Sequence, residues 1–391
     1  MDEKTCPAFK RCGSCQLLDL PYNRQLLIKQ SKVKRLLSRY KRPEKIVGMK
    51  NPYHYRNKVQ AAFGVSRGRI ISGVYQSSSH KIVSADGCLL EDKKADEIIA
   101  DIRKMCPNFK IKAYDEKSET GQLRHVLVRR GFETGEIMVV LVTAREELRS
   151  ANSFVNELLR RHPDITTVVQ NINGGFTSLV LGERQKILFG KGYIEDVLCG
   201  LKFRISPKSF YQVNPVQTKV LYNKAIGYAD LSGEETVFDA YCGIGTIGLC
   251  AASHAKKVLG VELNKTAVSD AKRNAELNGI TNAEFYAADA GLFMENAAQN
   301  GQRPDVVFMD PPRAGSSIKF LKSLLKTAPE KIVYISCNPE TMARDLAFLT
   351  EDYAVDKLCP VDMFPHTEHI ECVCLLKRKK EKKRYETDDC L

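Results

Sequence analysis

Thr236-Val237-Phe238-Asp239-Ala240-Tyr241-Cys242-Gly243-Ile244-Gly245-Thr246-Ile247-Gly248 is the stretch whose reading decides the fold. Thr236–Ala240 reads as a strand, and the glycines after it read as a tight turn that opens a helix. A second strand is expected at Lys257–Val261, then Glu262, then a helix over Lys265–Asn278. Strand–turn–helix units at this spacing belong to the α/β class with a Rossmann-like sheet. Glu262 stands 19 residues after Gly243, where an acidic side chain can accept hydrogen bonds from both ribose hydroxyls of a nucleoside. The turn lacks the full dinucleotide fingerprint. The wider series of Asp239, Gly243, Gly245, Glu262, Asp289 and Asp310-Pro311-Pro312 fits an adenosyl cofactor instead.

Further along, Asp305–Met309 reads as a strand ending in Asp310-Pro311-Pro312-Arg313. Val333-Tyr334-Ile335 reads as another, broken at Ser336-Cys337-Asn338-Pro339, with Pro339 placed to begin a helix. In open α/β sheets the ligand crevice lies at the carboxyl ends of strands. A carboxylate and a thiol therefore share one rim. A lone cysteine is ordinarily a small core residue; this placement beside Asp310 is what singles out Cys337. Enzymes that methylate exocyclic amines usually carry an aromatic residue after such an Asp-Pro-Pro. Arg313 stands there instead, which argues against amine methylation.

The chain has 391 residues, enough for two or three domains, with ordinary globular content of 43% hydrophobic and 27% charged residues. No apolar run spans a bilayer and Met1-Asp2-Glu3-Lys4 is no signal peptide, so a cytoplasmic, non-membrane protein is expected. Thirteen cysteines without an export signal favour metal or catalytic uses over disulfides. A formal net charge of +13 suits a polyanionic partner, RNA or DNA.

Near the start, Cys6, Cys12 and Cys15 have the spacing C-x5-C-x2-C, with Gly13 available for a tight turn. Three thiolates so close can converge on one metal, and Cys88, beside Gly87, is the candidate fourth ligand. Spacing alone leaves iron–sulfur and structural zinc both open. Leu17–Leu37 follows a helical pattern, with Leu26, Leu27, Val33, Leu36 and Leu37 as its apolar stripe and Lys29, Lys32, Lys34 and Arg35 exposed. From Tyr55 to about Ile205 short alternating segments, with helices near Lys93–Met105 and Glu146–Arg161, read as a mostly antiparallel α+β domain. Arg56, Lys58, Arg67, Arg69, Arg124, Arg129 and Arg130 suggest a basic sheet face for RNA. The expected organisation is 1–205 for the cysteine region and α+β RNA-recognition domain, 206–376 for the cofactor domain, and 377–391 for a basic tail. That tail carries seven basic residues in the eight from Lys377 to Arg384.

Taken together, these motifs resemble the RNA uracil-C5 methyltransferases that use S-adenosyl-L-methionine. The resemblance runs through the cysteine run with Cys88, Tyr55-Arg56-Asn57-Lys58, Ser206-Pro207-Lys208-Ser209-Phe210-Tyr211-Gln212-Val213-Asn214, Asp239–Gly245, Asp310–Arg313, Ser336–Pro339, and Phe364-Pro365-His366-Thr367-Glu368-His369-Ile370-Glu371-Cys372. It implies a class I methyltransferase domain and a [4Fe-4S] cluster on Cys6, Cys12, Cys15 and Cys88. It also implies cofactor contacts from Gln212, Tyr241, Glu262 and Asp310. Thr246 departs from the Asn that some members carry. With the cysteine run starting at residue 6, the shorter subgroup without a front β-barrel is expected.

The chemistry of uracil explains the remaining residues. Its C5 is too weak a nucleophile to attack a methyl sulfonium until a thiolate adds to C6. Cys337 is the expected nucleophile. A carboxylate must then remove the C5 hydrogen; Glu371 matches the family position, with Glu368 as local competitor. Asp310 suits a uracil N3–H and would reject cytosine, while Phe210 is a candidate for stacking on the flipped base. The expected partner is RNA, with 23S ribosomal RNA first and the transfer-RNA T-loop second, and the expected state is a monomer. A ribose or amine methyltransferase would need neither Cys337 nor Glu371, and a non-catalytic RNA-binding protein would need no nucleophile.

Overall fold

Strand β13 (Val306–Met309) is buried along its whole length and the following strand, β14 (Lys331–Ser336), is buried from its second residue. Such continuous apolar runs arise when a parallel strand is covered on both faces. The computed structural model describes residues 6–76, 79, 81–148, 150–175 and 179–379. In chain order it opens with helix α1 (Tyr22–Leu37), then β1 (Lys58–Ser66), β2 (Arg69–Tyr75), β3 (Ile82–Ser84), α2 (Lys93–Met105), β4 (Leu123–Arg130), β5 (Ile137–Thr143), α3 (Ala151–Arg161), β6 (Ile165–Ile172) and β7 (Arg184–Phe189). The hairpin of β8 (Ile194–Leu198) and β9 (Leu201–Ile205) leads into α4 (Pro215–Ala229). Alternation follows: β10 (Thr236–Ala240), α5 (Thr246–Ala252), β11 (Lys257–Glu262), α6 (Lys265–Leu277), β12 (Ala283–Ala287), α7 (Ala290–Gln299), β13, α8 (Ile318–Thr327), β14 and α9 (Pro339–Leu349). Two antiparallel strands close it, β15 (Tyr353–Val361) and β16 (Glu371–Arg378).

Among the described residues the later strands form one sheet in the order β12-β11-β10-β13-β14-β16-β15. From β10 to β14 the pairings are parallel; β16 runs antiparallel to both β14 and β15. The order reverses at β10, so the carboxyl ends of β10, β11, β13 and β14 converge on one crevice. Phe238, Leu259, Val307 and Tyr334 pack with α7, α8 and α9 on one face, and Val33 and Leu37 of α1 join that core. The other face packs against α4, α5 and α6.

The earlier strands form a second sheet, β3-β2-β1-β4-β5-β6-β7, antiparallel except for β5 with β6. Strand β5 shows how the halves join. Ile137, Val139 and Leu141 face the core built with α2 and α3. Met138, Val140 and Val142 share a core with Tyr211, Leu221 and Val237 of the cofactor domain. Period-2 alternation thus supplies two different cores from one strand, and β5 is buried throughout.

Four expectations change. The helix expected near Glu146–Arg161 begins only at Ala151. The first helix starts at Tyr22 rather than Leu17, because Pro21 occupies its amino-terminal cap. Within it Leu27 is exposed, whereas Gln25 and Lys29 are buried at 0% and 1% exposure. The basic sheet face also fails as drawn. Arg124 and Arg129 are buried, each donating to carbonyls of its own chain, while Arg67 and Arg69 are exposed. Lastly, β16 continues through Lys377 and Arg378, the first residues of the basic run; residues 380–391 lie outside the described residues.

Lys29 is buried because it has a partner. Its ammonium donates to Asp362 Oδ1 at 2.6 Å and to the Phe364 carbonyl at 3.0 Å. Asp362 also accepts from Tyr22 Oη at 2.8 Å. Removing one member of such a pair strands the other charge in a dry interior. Lys29→Met should therefore lower unfolding stability by roughly 3–5 kcal/mol, read as the shift of a urea midpoint. A loss well under 1 kcal/mol would show that the pair is not what holds α1 in place.

Candidate active site

The crevice is assembled from strand ends. After β10, Tyr241 turns with φ +63°, followed by Gly243 at +55° and Gly245 at +82°. The carboxylate of Asp239 caps the next helix by accepting from the Gly248 amide at 2.9 Å. A Cβ on Gly248 would lie 2.7 Å from that oxygen, so only glycine lets strand and helix approach so closely. Over Gly243 a Cβ would meet nothing within 4 Å; the space above the turn is open. Glu262, at the end of β11, accepts from the Gly243 amide at 3.3 Å and the Asn264 amide at 2.9 Å. It faces the turn, as the spacing predicts. Asp289 caps α7 through the Leu292 amide.

The thiol comes from the β14 side. Ser336 Oγ accepts from the Asn338 amide at 3.2 Å and donates to the Asn338 carbonyl at 3.0 Å. Asn338 then caps α9 through the Glu340 amide and reaches the Arg313 carbonyl. These bonds fix Cys337, which stays partly exposed, on a turn tied to the Asp310–Arg313 loop. In the β14/β16 ladder Ser336 pairs with Cys372. The ladder ends there; Glu371, the neighbour of Cys372 and 4% exposed, acts electrostatically on the Cys337 thiol.

Charge is crowded here. Burial pushes Glu371 well above its ordinary value, and Asp310 pushes it further against the pull of Arg313. Asp310 is itself raised by burial. Asp239 rises to about 8, from burial, with Asp310 and Glu262 adding to it. The Cys337 thiol rises to about 11 from burial and the repulsion of Glu371 and Asp310, with Arg313 favouring the thiolate. A rim carrying this excess of carboxylate favours a cationic ligand.

The loop from Ser206 to Asn214 is tied to both sheets' elements, to Arg129 of β4 and to Asp270 of α6. Arg129 donates twice to the Ser209 carbonyl at 3.0 Å, and Ser206 and Ser209 hydroxyls both bond Asp270. Held at its base, the loop leaves Phe210 67% exposed. Gln212 is half-buried two residues on. Sequence reasoning missed Tyr222, buried in α4, whose hydroxyl meets Thr246 Oγ1 at 2.9 Å and whose ring lies within the field of Asp310. It also treated Arg313 only as an excluded aromatic, whereas its charge acts on Cys337 and Glu371.

The cysteines form a second locus. Cys15 and Cys88 pack beside Met49, Tyr55 and Leu90. Burial raises the Cys15 thiol to about 11, Arg56 opposing and Cys12 and Cys6 adding; burial and Glu91 raise Cys88 to about 12, with Cys15 adding. All four are free of disulfides. Their thiols therefore share one neighbourhood from two separate loops, a donor set that fits a thiolate-held centre. Among the described residues, however, no three metal-ligating side chains stand at metal-holding spacing.

With this geometry in view the comparisons are direct. The profile described as tRNA (Uracil-5-)-methyltransferase matches residues 21–379. The chain belongs to that family. An RNA methyltransferase of Halalkalibacterium halodurans is 44% identical over 383 residues, 96% of this chain and 84% of the relative. One from Clostridium tetani is 43% identical over 387 residues, 98% and 84%. The crystal structure of Pyrococcus abyssi tRNA (uracil-54, C5)-methyltransferase with S-adenosyl-L-homocysteine matches with a TM-score of 0.77 at 31% identity, over 94% of this chain and 86% of that one. The α/β class I methyltransferase architecture of the uracil-5-methyltransferase family is thus the architecture here. Among the described residues no helix is long and apolar enough to cross a membrane.

The raised Glu371 gives a pH test. A carboxyl whose folded value lies above its unfolded one adds stability fully present below the unfolded value, and that stability is lost as pH rises through the folded value. Glutamine has no charge to bury. Cofactor-free Glu371→Gln protein should match the parent near pH 4 and exceed it from pH 5 upward. The gap should widen by about 1.4 kcal/mol for each further pH unit until the folded value is passed. Denaturant midpoints at pH 4, 6 and 8 check this; a variant weaker than the parent at pH 8 contradicts the burial argument.

Proposed function

We propose that this enzyme methylates C5 of a uridine in RNA through a covalent bond between Cys337 and uracil C6. The observation that carries the reading is the pairing of Ser336 with Cys372, the chain neighbours of the Cys337 thiol and of the buried Glu371 carboxylate; these two groups and Asp310 act on one another's charge. Bound in the crevice, S-adenosyl-L-methionine supplies an electrophilic methyl group and a positive sulfonium. Glu262 would hold the ribose hydroxyls, with Gln212, Tyr241 and Asp310 as further contacts. The open space over Gly243 and the excess of carboxylates fit such a cation.

The Cys337 thiolate, favoured by Arg313, adds to C6, and the electron pair of the C5–C6 bond is pushed toward C5 and O4. After C5 has gained the methyl group it still carries its hydrogen. Glu371 takes that proton, the electrons of the C5–H bond re-form the C5–C6 double bond, and the sulfur leaves C6 with its pair. A carboxylate desolvated enough to bind a proton tightly is a strong base when ionised. Asp310 accepts the uracil N3–H and Phe210 offers its exposed ring to the base. Cys6, Cys12, Cys15 and Cys88 would hold a [4Fe-4S] centre, which would serve as a crosslink between the first loop and the Gly87 turn.

Within RNA, 23S ribosomal RNA is the first target proposed. The T-loop of transfer RNA is the second, favoured by the 31% identity, across 94% of this chain, to an enzyme named for uracil 54 of tRNA. Comparing 5-methyluridine in both RNAs from a deletion strain with its parent decides between them.

Cys337→Ala should abolish methylation while cofactor affinity stays within about twofold of the parent. Parent protein with 5-fluorouridine RNA and cofactor should trap an adduct on a denaturing gel. Turnover by the alanine variant would remove Cys337 from the reaction. For the cysteines, anaerobically purified protein should contain about four irons and four sulfides per chain, and Cys88→Ser should lower both; stoichiometric zinc without visible absorption would replace the iron–sulfur assignment.

A further inference from the structure

Glu371 begins a strand whose approach is not fixed by local contacts. Residues 362–370 connect β15 to β16, which rejoin where Val361 pairs with Glu371. A hairpin connection of this length is long, and such loops are mobile unless other groups hold them. Internal bonds are confined to Met363 with Val361, Thr367 with Phe364, and His369 with Thr367. Most of the other backbone hydrogen bonds along the connection come from the first 55 residues, beginning with the Asp362 amide to the Val47 carbonyl. Lys29 takes the Phe364 carbonyl as well as Asp362. Tyr55 Oη donates to the Pro365 carbonyl at 3.0 Å.

His366 sits at φ +68°, a strained region for a residue with a Cβ. Gln25, itself fully buried, holds it there. Its Oε1 accepts from the His366 amide at 3.0 Å and its Nε2 donates to Nδ1 at 3.1 Å. The imidazole stacks on Tyr53 at 4.7 Å. The His366 carbonyl accepts from the Leu17 amide at 3.0 Å, and the Glu368 amide donates to Gln16 Oε1 at 3.3 Å, both next to Cys15. On the far side Asn214 and Gln217 donate to the Met363 and Asp362 carbonyls.

We infer that Gln25, Lys29 and Tyr55 are positioning residues for the carboxylate of Glu371, acting on removal of the C5 proton rather than on methyl transfer. The inference rests on the proposed role of Glu371. None of the three need touch RNA or cofactor; each fixes the 362–370 connection that leads into the strand from which that carboxylate projects. Cys337 is held by Ser336, Asn338 and the Arg313 loop, none of which lies on the 362–370 connection. Loosening the loop therefore displaces the base and spares the nucleophile.

The experiment compares Gln25→Leu and Tyr55→Phe with the parent in single turnovers. Full-length protein, labelled S-adenosyl-L-methionine and unmodified total RNA from a deletion strain are mixed, and two quantities are followed. One is methyl incorporation into RNA; the other is RNA held in a denaturation-resistant protein adduct. Expected is incorporation within about twofold of the parent and adduct decay slowed by about tenfold or more, so methylated adduct accumulates. Tyr55→Phe removes one hydroxyl and keeps the ring, which guards against misfolding of the glutamine variant. Equal slowing of both steps, or no change in either, overturns the positioning role. Parent protein that methylates RNA without any adduct overturns the reading of Cys337 and Glu371 instead, and the inference falls with it.

Discussion

A lysine ammonium buried to 1% exposure is the constraint on which the arrangement turns. Burial pushes Lys29 below its ordinary value and Asp362 opposes that shift. A charge so placed tolerates one geometry, because any separation exposes two unsolvated ions to a low dielectric. An apolar contact would let α1 slide along the sheet; the ion pair and its hydrogen bonds do not. The pair thus gives specificity of position more than net stability. Its neighbours extend the same logic: Gln25, Asn214 and Gln217 are buried amides whose capacity is spent on the loop before Glu371.

The crevice carries the opposite kind of design. Asp239, Asp310 and Glu371 are all raised by burial; Asp310 adds to the rise of Asp239 and Glu371, and Arg313 opposes only that of Glu371. Such a site is unfavourable for the empty fold and favourable for a positively charged ligand. Stability is given up where binding and proton transfer require it. Arg313 tempers the repulsion at the thiol without neutralising the rim.

How much was legible in the sequence follows from range. The α/β repeat, the Gly-rich turn, Glu262 and the strand-end positions of Asp310 and Cys337 are local patterns, and the fold keeps them. Helix α2 falls on Lys93–Met105 as its pattern indicates, with Asp92 capping the Ala95 amide. Lys29 reads as a solvated side chain because its partner lies 333 residues away. Arg129 looks like part of an RNA platform for the same reason: nothing near it in sequence announces the Ser209 carbonyl. Tyr222 is one apolar position among several on α4, and only the fold brings it to Thr246. Periodicity reports which face is covered; it does not report a buried polar group whose partner comes from another element.

The distance between Lys29 and Asp362 along the chain also sets an order of events in the cell. At ribosomal rates of about 5–20 residues per second, roughly 20–70 s pass between synthesis of the lysine and of its aspartate. Throughout that interval Val33 and Leu37 have no core to enter, since the sheet they cover is completed by the last strands. The amino-terminal helix is thus made first and docked last. A nascent chain of this protein presents an apolar helix stripe until translation is nearly finished, a window in which chaperone occupancy rather than native stability governs its fate.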